Sequence, residues 1–345
     1  MTLLPPSLLE HPLWEEEKNP IWLATSITLF RNLATTKFPS KQNERELLNT
    51  SHLLKEALPN KIFLPAEKLS LNDKELLFEH FLCLEGFQNA AAGQAFAVDE
   101  SGRFLALINQ QDHLHLQLID TTGDIDRLWE NLVELEIEIS KKTPYAFSPK
   151  FGYLTSNPLQ CGTALQACLY LHLPALHHTG QLHQVCTKEE EISFIGLEGS
   201  INDLIGDLLI LKNRYTLGVN EEVILHSLQT TALRLIDAEK KQREELKKTG
   251  NSEIKDLVSR AYGLLLHSYQ LQTIETLNAL SALKLGLDLN WIKGISSQKI
   301  NNLFFKCRHG HLAFLSPTKP LDTHNLPHER AKLIHEEIKE ITLIE

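Results

Sequence analysis

A short alternating pattern constrains the fold of this chain more than any other stretch. Between residues 165 and 173, apolar side chains alternate strictly with polar ones, and Pro174 follows. The polar positions are Gln166, Cys168, Tyr170 and His172. Because successive side chains of a strand point to opposite faces, this pattern predicts a half-buried β-strand with one polar face. That face carries no arginine, lysine or carboxylate, which restricts the chemistry it can do.

Charge and composition exclude several classes of partner. The chain has 345 residues and a formal net charge of −10, and its basic residues are not gathered into blocks. We therefore expect neither nucleic acid nor an anionic membrane surface as a partner. No apolar run has the length of a membrane span, and the N-terminal segment lacks the basic start and apolar core of a signal peptide. The five cysteines lack C-x-x-C spacing, which indicates a reducing cytoplasm rather than a disulfide framework or a zinc ribbon.

Strands and helices mix in the first part of the chain. Segment 103–108 is an apolar run after a Ser101-Gly102 turn signal, and segment 113–119 alternates apolar and polar residues, so the two predict a hairpin. Helical spacing over 124–142 predicts an amphipathic helix. Segments 193–197 and 208–212 predict further strands. This part of the chain therefore belongs to the α+β class.

The sequence changes to helical patterns after about residue 219. Apolar residues at helical spacing predict helices over 253–269, 271–285 and 328–344. A charged stretch at 239–250 precedes them and ends in a glycine, which is a natural helix stop.

We place a domain boundary at the end of this charged stretch. An α+β domain then covers residues 1–248, and a helical domain covers 249–345. Two apolar stripes of the helical domain, within 257–269 and 274–283, hold more surface than a small core needs, which predicts a homodimer. The alternative is that the same surface packs against the first domain.

A histidine-rich segment contains residue types that bind transition metals. They are His172, His177, His178, His183 and Cys186. Their spacing matches no rigid pair on one helix face, and no carboxylate flanks them. We therefore assign no metal site from the sequence.

Three further features have both a chemical and a structural interpretation. His113, His115 and Gln117 share a strand face that either lines a cleft or faces solvent. Cys161 is either a nucleophile with a lowered pKa or a small packed residue, and no base can be assigned to it. The glycine-spaced segment 195–207 lacks the G-x-G-x-x-G order and the P-loop lysine, so it only weakly indicates nucleotide binding.

Colinear blocks run through nearly the whole chain. They include TSITLFRNLATTKFP (25–39), INQQDHLHLQ (108–117), YAFSPKFGYLTSNPLQCGTALQACLYLHLPAL (145–176), GLEGSINDLIGD with TLG (196–218), RAYGLLLHS (260–268) and LKLGLDL (283–289). In this order they resemble the ATP:guanido phosphotransferases, and most closely the bacterial protein-arginine kinases of the McsB type. The resemblance implies an α+β fold with a phosphagen-kinase-like antiparallel sheet and flanking helices, plus a C-terminal helical domain.

The charged site positions of that family carry other residues in this chain. The resemblance places the nucleotide-binding set, mostly phosphate-binding arginines, at Thr25, Ser26, Thr28, His80, His115, Gln166 and Ile195. It places the acceptor-side and N-E-E-D glutamates at Ser200, Gln110 and Gln111, and the reactive cysteine at Asn157. The family residues that remain are Arg31, Asn32, His80, Asp112, His113, Pro158, Gly162 and Thr163.

These departures predict a loss of catalysis. Phosphoryl transfer depends on positioning and on neutralising charge. A hydrogen bond to a charged group contributes about 1.5–3 kcal/mol, and about 1.36 kcal/mol changes a rate tenfold. Losing four or five such contacts therefore predicts a pseudokinase with no assigned cofactor. His115 is the one replacement that could carry charge, and only when protonated.

Two rival interpretations and the partners stay open. One rival is an active protein-arginine phosphotransferase that uses Mg·ATP in a rebuilt site; the other is a metal-binding protein. The resemblance implies a role in protein quality control, with a zinc-binding activator protein and Clp-type protease components as partners. In the segment that matches the family's phosphoarginine-recognition site, Arg330 and Ala331 remain, but Leu326 and Pro327 replace an R-D pair, which leaves recognition open.

Overall fold

One large antiparallel sheet forms the centre of the fold. The computed structural model describes residues 3–6, 8, 19–83, 91–186, 189–315 and 325–344. The strands in this part of the chain are β1 (Trp22–Arg31), β2 (Ile62–Pro65), β3 (Ala95–Val98), β4 (Phe104–Ile108), β5 (Leu114–Asp120), β6 (Phe147–Ser148), β7 (Gly152–Tyr153), β8 (Leu165–His172), β9 (Ile192–Ile195), β10 (Leu208–Asn213), β11 (Ile292–Lys293) and β12 (Thr342–Leu343). Eight of them form the sheet in the order β2-β3-β4-β5-β1-β8-β10-β9, and each pairing is antiparallel.

Helices pack on both faces of the sheet. They are α1 (Glu44–Ala57), α2 (Leu71–His80), α3 (Ile125–Ser140), α4 (Pro174–His178), α5 (Leu182–Cys186), α6 (Glu221–Thr249), α7 (Ser252–His267), α8 (Thr273–Asp288), α9 (Ser297–Lys306), α10 (His309–Leu315) and α11 (Leu326–Ile338). Helix α1 begins with a capping box between Asn43 and Glu46. Helix α6 ends as predicted at Gly250, whose φ of 63° suits a glycine cap. Among the described residues, no helix is long and apolar enough to cross a membrane.

The two faces of the sheet bury two different cores. One face packs against α1, α3 and α6. On the other face, Cys168 and Tyr170 share a core with α2 and with the C-terminal helices α7, α8, α9 and α11. The expected half-buried polar face of β8 is therefore a wrong prediction. Cys168, Tyr170 and His172 are buried, and only Gln166 remains half-buried, because α2, the residues just after it and the C-terminal helices cover this face.

Most predicted elements are present within a few residues of the expected bounds. The hairpin is β4 with β5, the amphipathic helix is α3, and the two later strands are β9 and β10. The helix expected over 328–344 is wrong at its end, since α11 stops at Ile338 and β12 pairs with β11 instead. Strand β1 was not predicted from the sequence, although it lies between β5 and β8 in the middle of the sheet.

Candidate functional site

The three central strands bring most of the predicted nucleotide-binding positions onto one face. In the antiparallel register, Thr28 on β1 lies opposite Gln117 on β5 and Gln166 on β8, and Ser26 lies opposite Cys168. Residues opposite each other in such a pair point to the same face. A cavity opens on this face, lined by Ser26, Thr28, Phe30, Leu82, Cys83, Leu107, Gln110, His115, Gln117, Gln166, Cys168 and Tyr170.

The cavity is small, and its lining contains no aspartate, glutamate, lysine or arginine. Its volume is about 50 Å³. A water molecule needs about 10–15 Å³ on this measure, so the space holds about three to five waters. Pockets for larger ligands occupy about 300–1,000 Å³. The cavity is therefore smaller than the pockets that hold ligands of nucleotide size.

The chain just after α2 crosses this face and is tied to it. We name residues 81–83 the cover segment. Tyr170 Oη donates to Leu82 O at 2.9 Å, and Gln117 Nε2 donates to Phe81 O at 2.7 Å. Leu82 has a φ of 51°, a left-handed conformation that costs a bulky residue energy and therefore needs fixed surroundings. Polar side chains that could face a ligand thus hold the protein's own backbone.

The two histidines of the predicted set are held in the neutral form. His115 lies in the cavity wall, with Nε2 3.8 Å from Asp112 Oδ2. Burial lowers the pKa of His115 to about 4, although the negative charge of Asp112 acts in the opposite direction. His80 lies outside the cavity lining on α2 and donates from Nε2 to Gly102 O at 2.8 Å. Burial lowers its pKa to about 3, and the charge of His311 adds to that effect. Neither side chain supplies positive charge at pH 7.

Other predicted residues are not brought into the cavity. Thr25 lies on the opposite face of β1, where its Oγ1 accepts a hydrogen bond from Trp22 Nε1 at 2.9 Å. Ile195 is half-buried on the edge strand β9 and packs against the core. Gln111 and Ser200 are exposed.

Gln110 and Asn157 have contrasting surroundings. Gln110 lines the cavity, and its buried Nε2 has no hydrogen-bond partner within the described parts of the chain. Asn157 caps a short turn by accepting from Leu159 N at 3.1 Å, outside the cavity lining. The predicted residues that meet at the cavity are thus Ser26, Thr28, Gln110, His115 and Gln166.

The family residues that remain have structural roles in the scaffold. Arg31 forms a buried ion pair with Glu136 at 2.8 Å. Asn32 Nδ2 donates to Asp112 Oδ1 at 2.5 Å. His113 accepts from a backbone amide through Nδ1, and its other ring nitrogen lies 2.9 Å from Gln42 Nε2. These contacts explain how the scaffold persists while the lining residues differ.

Gly162 is required by a close backbone approach. Its φ is 106°, and a Cβ at this position would lie 2.1 Å from Thr216 O. No side chain fits there without moving the backbone. The turn that carries Cys161 is therefore fixed by its glycine neighbour, and Cys161 Sγ contacts Thr155 Oγ1 at 3.5 Å. This threonine hydroxyl is not a base that could deprotonate the thiol, which favours the structural interpretation of Cys161.

One cation on the same face was not predicted from the sequence. Lys212 on β10 lies opposite Cys168, so its side chain projects from the sheet face that bears the cavity. It is half-buried, and no carboxylate within the described residues forms an ion pair with it. The signal in the sequence was the single lysine in the apolar strand LLILKN, whose facing could not be assigned without the register.

The histidine-rich segment does not assemble as one group. His177 and His178 on α4 both contact Asp207, a residue that the sequence pattern did not indicate. His172 is buried and contacts Ser281 at 2.7 Å through Nε2. His183 is exposed on α5 and joins neither contact.

The matched phosphoarginine-recognition segment uses its arginine internally. Arg330 is buried on α11, where Nε donates to Cys307 O at 2.6 Å and Nη1 donates to Leu271 O at 2.7 Å. Both contacts tie together backbone of the helical part. The guanidinium is therefore engaged with carbonyl groups rather than displayed to solvent.

Comparison with known protein families decides what this scaffold is. The sequence model of the ATP:guanido phosphotransferase C-terminal catalytic domain matches residues 42–242. The chain belongs to this family. The model of the protein-arginine kinase McsB C-terminal domain matches residues 251–343. The predicted family is confirmed.

Individual relatives of this ATP:guanido phosphotransferase family member agree with that assignment. This chain is 37% identical over 346 residues to a protein-arginine kinase from Chlamydia pneumoniae, and the match covers 96% of this chain and 97% of the relative. It is 30% identical to a protein-arginine kinase from Halothermothrix orenii, with coverage of 91% and 92%.

Solved structures confirm the predicted fold class. Lombricine kinase matches with a TM-score of 0.57 and 18% identity, covering 72% of this chain and 73% of that one. The duplicated taurocyamine kinase from Schistosoma mansoni, with bound transition-state analogue components, also has a TM-score of 0.57 at 22% identity, covering 65% of this chain and 34% of that one. These likenesses show a phosphagen-kinase-like α+β fold.

Proposed function

We propose that this family member is a catalytically inactive relative of the protein-arginine kinases and acts by binding other proteins. The observation that supports this proposal is the cavity on the central polar face. Its volume is about 50 Å³, and Ser26, Thr28 and Gln166 stand where the resemblance places phosphate-binding arginines. A triphosphate needs bidentate or ionic partners, which these hydroxyl and amide groups do not supply.

Nucleotide binding tests the proposal directly. We expect isothermal titration calorimetry with Mg·ATP at pH 7.5 to show a dissociation constant weaker than about 1 mM, which corresponds to about −4.1 kcal/mol. A protein-arginine kinase relative serves as the positive control under the same conditions. Because His115 and His80 are held neutral, the affinity should not rise between pH 8 and pH 6. A micromolar dissociation constant for the unmodified chain would overturn the proposal.

A second candidate function is an active, Mg·ATP-dependent protein-arginine kinase with a rebuilt site. Lys212 favours it, because this cation projects from the cavity-bearing face without a carboxylate partner in the described residues. The relatives named protein-arginine kinases favour it as well. Nucleotide binding that Lys212→Ala weakens, while Lys293→Ala leaves it unchanged, would support this alternative.

The partners follow from the family and are part of the proposal. Protein quality control would involve a zinc-binding activator protein and Clp-type protease components, in the cytoplasm.

A homodimer formed by the C-terminal helices is a further part of the proposal. Leu265, Leu280 and Leu283 from the two predicted stripes are buried within the chain, whereas Tyr269 and Ile274 are exposed. The surface available for pairing is therefore smaller than the sequence suggests.

Light scattering on the full chain tests the homodimer. Ile274→Asp should shift the molar mass from dimer to monomer at tens of micromolar. Leu48→Asp is the matched control, because Leu48 is a similarly exposed apolar residue on α1, outside the C-terminal helices. A monomeric unmodified chain, or a dimer that tolerates Ile274→Asp, contradicts this part of the proposal.

A further inference from the structure

Two histidines and an aspartate converge at the seam between the sheet and the C-terminal helices. His177 Nδ1 lies 2.6 Å from Asp207 Oδ1, and His178 Nε2 lies 3.1 Å from the same oxygen. All three ligand atoms lie within 4.8 Å of one another. We propose that His177, His178 and Asp207 bind a divalent transition-metal ion of the zinc type.

The distances between the histidine nitrogens and Asp207 Oδ1 suit a small ion, which would replace the hydrogen bonds between them. Tetrahedral zinc with bonds of about 2.0–2.2 Å separates neighbouring ligand atoms by about 3.3 Å. The two contacts to Asp207 Oδ1 are somewhat shorter than that, so small rotations of the imidazoles admit the ion. The histidine side chains are 31% and 27% exposed, which leaves a solvent side for a further ligand such as water.

The second carboxylate oxygen is already occupied by a supporting contact. Ser281 Oγ, on α8, donates to Asp207 Oδ2. His172 Nε2 lies 2.7 Å from Ser281 Oγ and donates to it, since the serine proton is used toward the carboxylate. This arrangement directs Oδ1 toward the histidines and orients it. Metal ligands in proteins are commonly held by such outer hydrogen bonds.

The backbone around Asp207 is held in an unusual conformation by the C-terminal helices. Asp207 has a φ of 53° and follows Gly206, whose φ is 61°. Gly206 N donates to Asn278 Oδ1 at 2.7 Å, and a Cβ on Gly206 would lie 2.4 Å from the ring of Phe304. Contacts with α8 and α9 therefore help to position this carboxylate. An ion at this site would stabilise that docking.

The ligand types select the class of metal. Imidazole nitrogen suits zinc, cobalt and nickel, whereas magnesium and calcium prefer oxygen ligands. Cys186 is not one of the residues that meet at this cluster.

Metal titration of the full chain tests the site. After treatment with a chelator, the protein is dialysed against zinc chloride and the bound metal is counted by elemental mass spectrometry. We expect one zinc per chain, a rise in the thermal unfolding midpoint with zinc but not with magnesium, and a visible absorption band typical of four- or five-coordinate ions with cobalt chloride.

Variants separate this site from surface binding. His177→Ala and His178→Ala should each lose at least a hundredfold in zinc affinity, and Ser281→Ala should lose about 10–100-fold. His183→Ala is the control, because His183 is exposed nearby and joins no contact of the cluster. Circular dichroism checks that each variant is folded. Absence of stoichiometric zinc in the unmodified chain, or zinc binding that survives both histidine substitutions, would overturn the proposal.

Discussion

A buried carboxylate on α2 should contribute strongly to the docking of the C-terminal helices. Glu79 accepts hydrogen bonds from Gly310 N at 3.0 Å, from His311 N at 3.1 Å and from His311 Nδ1 at 2.9 Å. Its side chain is only 8% exposed. Burial raises the pKa of Glu79, but the hydrogen bond from His311 and the charge of Arg308 outweigh burial and leave it lowered.

Replacing this residue tests the reasoning against a neighbour on the same helix face. Glu79→Ala leaves buried donors of α10 without their acceptor and should cost about 3–5 kcal/mol of unfolding free energy. Glu75, one turn earlier, pairs with His309 at 2.8 Å but is 40% exposed, so Glu75→Ala should cost at most about 1 kcal/mol.

Urea denaturation followed by tryptophan fluorescence and circular dichroism measures both losses. The midpoint should fall far more for Glu79→Ala than for Glu75→Ala, with similar slopes for the two variants. We expect the loss of unfolding free energy to depend on how deeply the carboxylate–histidine pair is buried. Losses for the two variants that agree within about 1 kcal/mol would refute this.

Two further predictions concern packing and pH. Gly310→Ala should destabilise the chain by about 1–3 kcal/mol, because its Cβ would lie 2.5 Å from Leu76 N. A Cβ at Gly263 meets nothing within 4 Å, so Gly263→Ala should stabilise the chain by about 0.5–1 kcal/mol. Thermal unfolding of the two variants measures both changes. The pKa of His80 is lowered from 6.5 to about 3, so its contribution is present above pH 6.5 and is lost as the pH falls toward 3. His80→Gln should therefore flatten the fall of stability between pH 7 and pH 4, and an unchanged pH profile would contradict this.

Local patterns were sufficient to predict much of the sheet. Strict alternation identified β8 and β5, because side-chain period directly reflects strand geometry, and the apolar run before β5 identified β4 as its hairpin partner. The covering of β8 could not be predicted in this way. Whether a polar face meets water or a distant helix depends on contacts such as those between Tyr170 and the cover segment, which lie far apart in sequence.

The candidate site was predictable in its residue types but not in its assembly. The resemblance indicated Ser26, Thr28 and Gln166, and the register places them around one cavity. Lys212 could not be assigned to the cavity-bearing face from the sequence, because the face to which its side chain points depends on the pairing between β10 and β8. Asp207 likewise joins His177 only through the turn that precedes β10, a contact no sequence spacing encodes.

The central claim, that this scaffold no longer transfers phosphate, is tested most directly by assaying the product. The purified chain is incubated with Mg·ATP and an unstructured arginine-rich protein, and phosphoarginine is measured by mass spectrometry without acid exposure, with a protein-arginine kinase relative as positive control. We predict no phosphoarginine above the background of a reaction without the chain. Turnover above that background which Gln166→Ala or Lys212→Ala abolishes would contradict the claim.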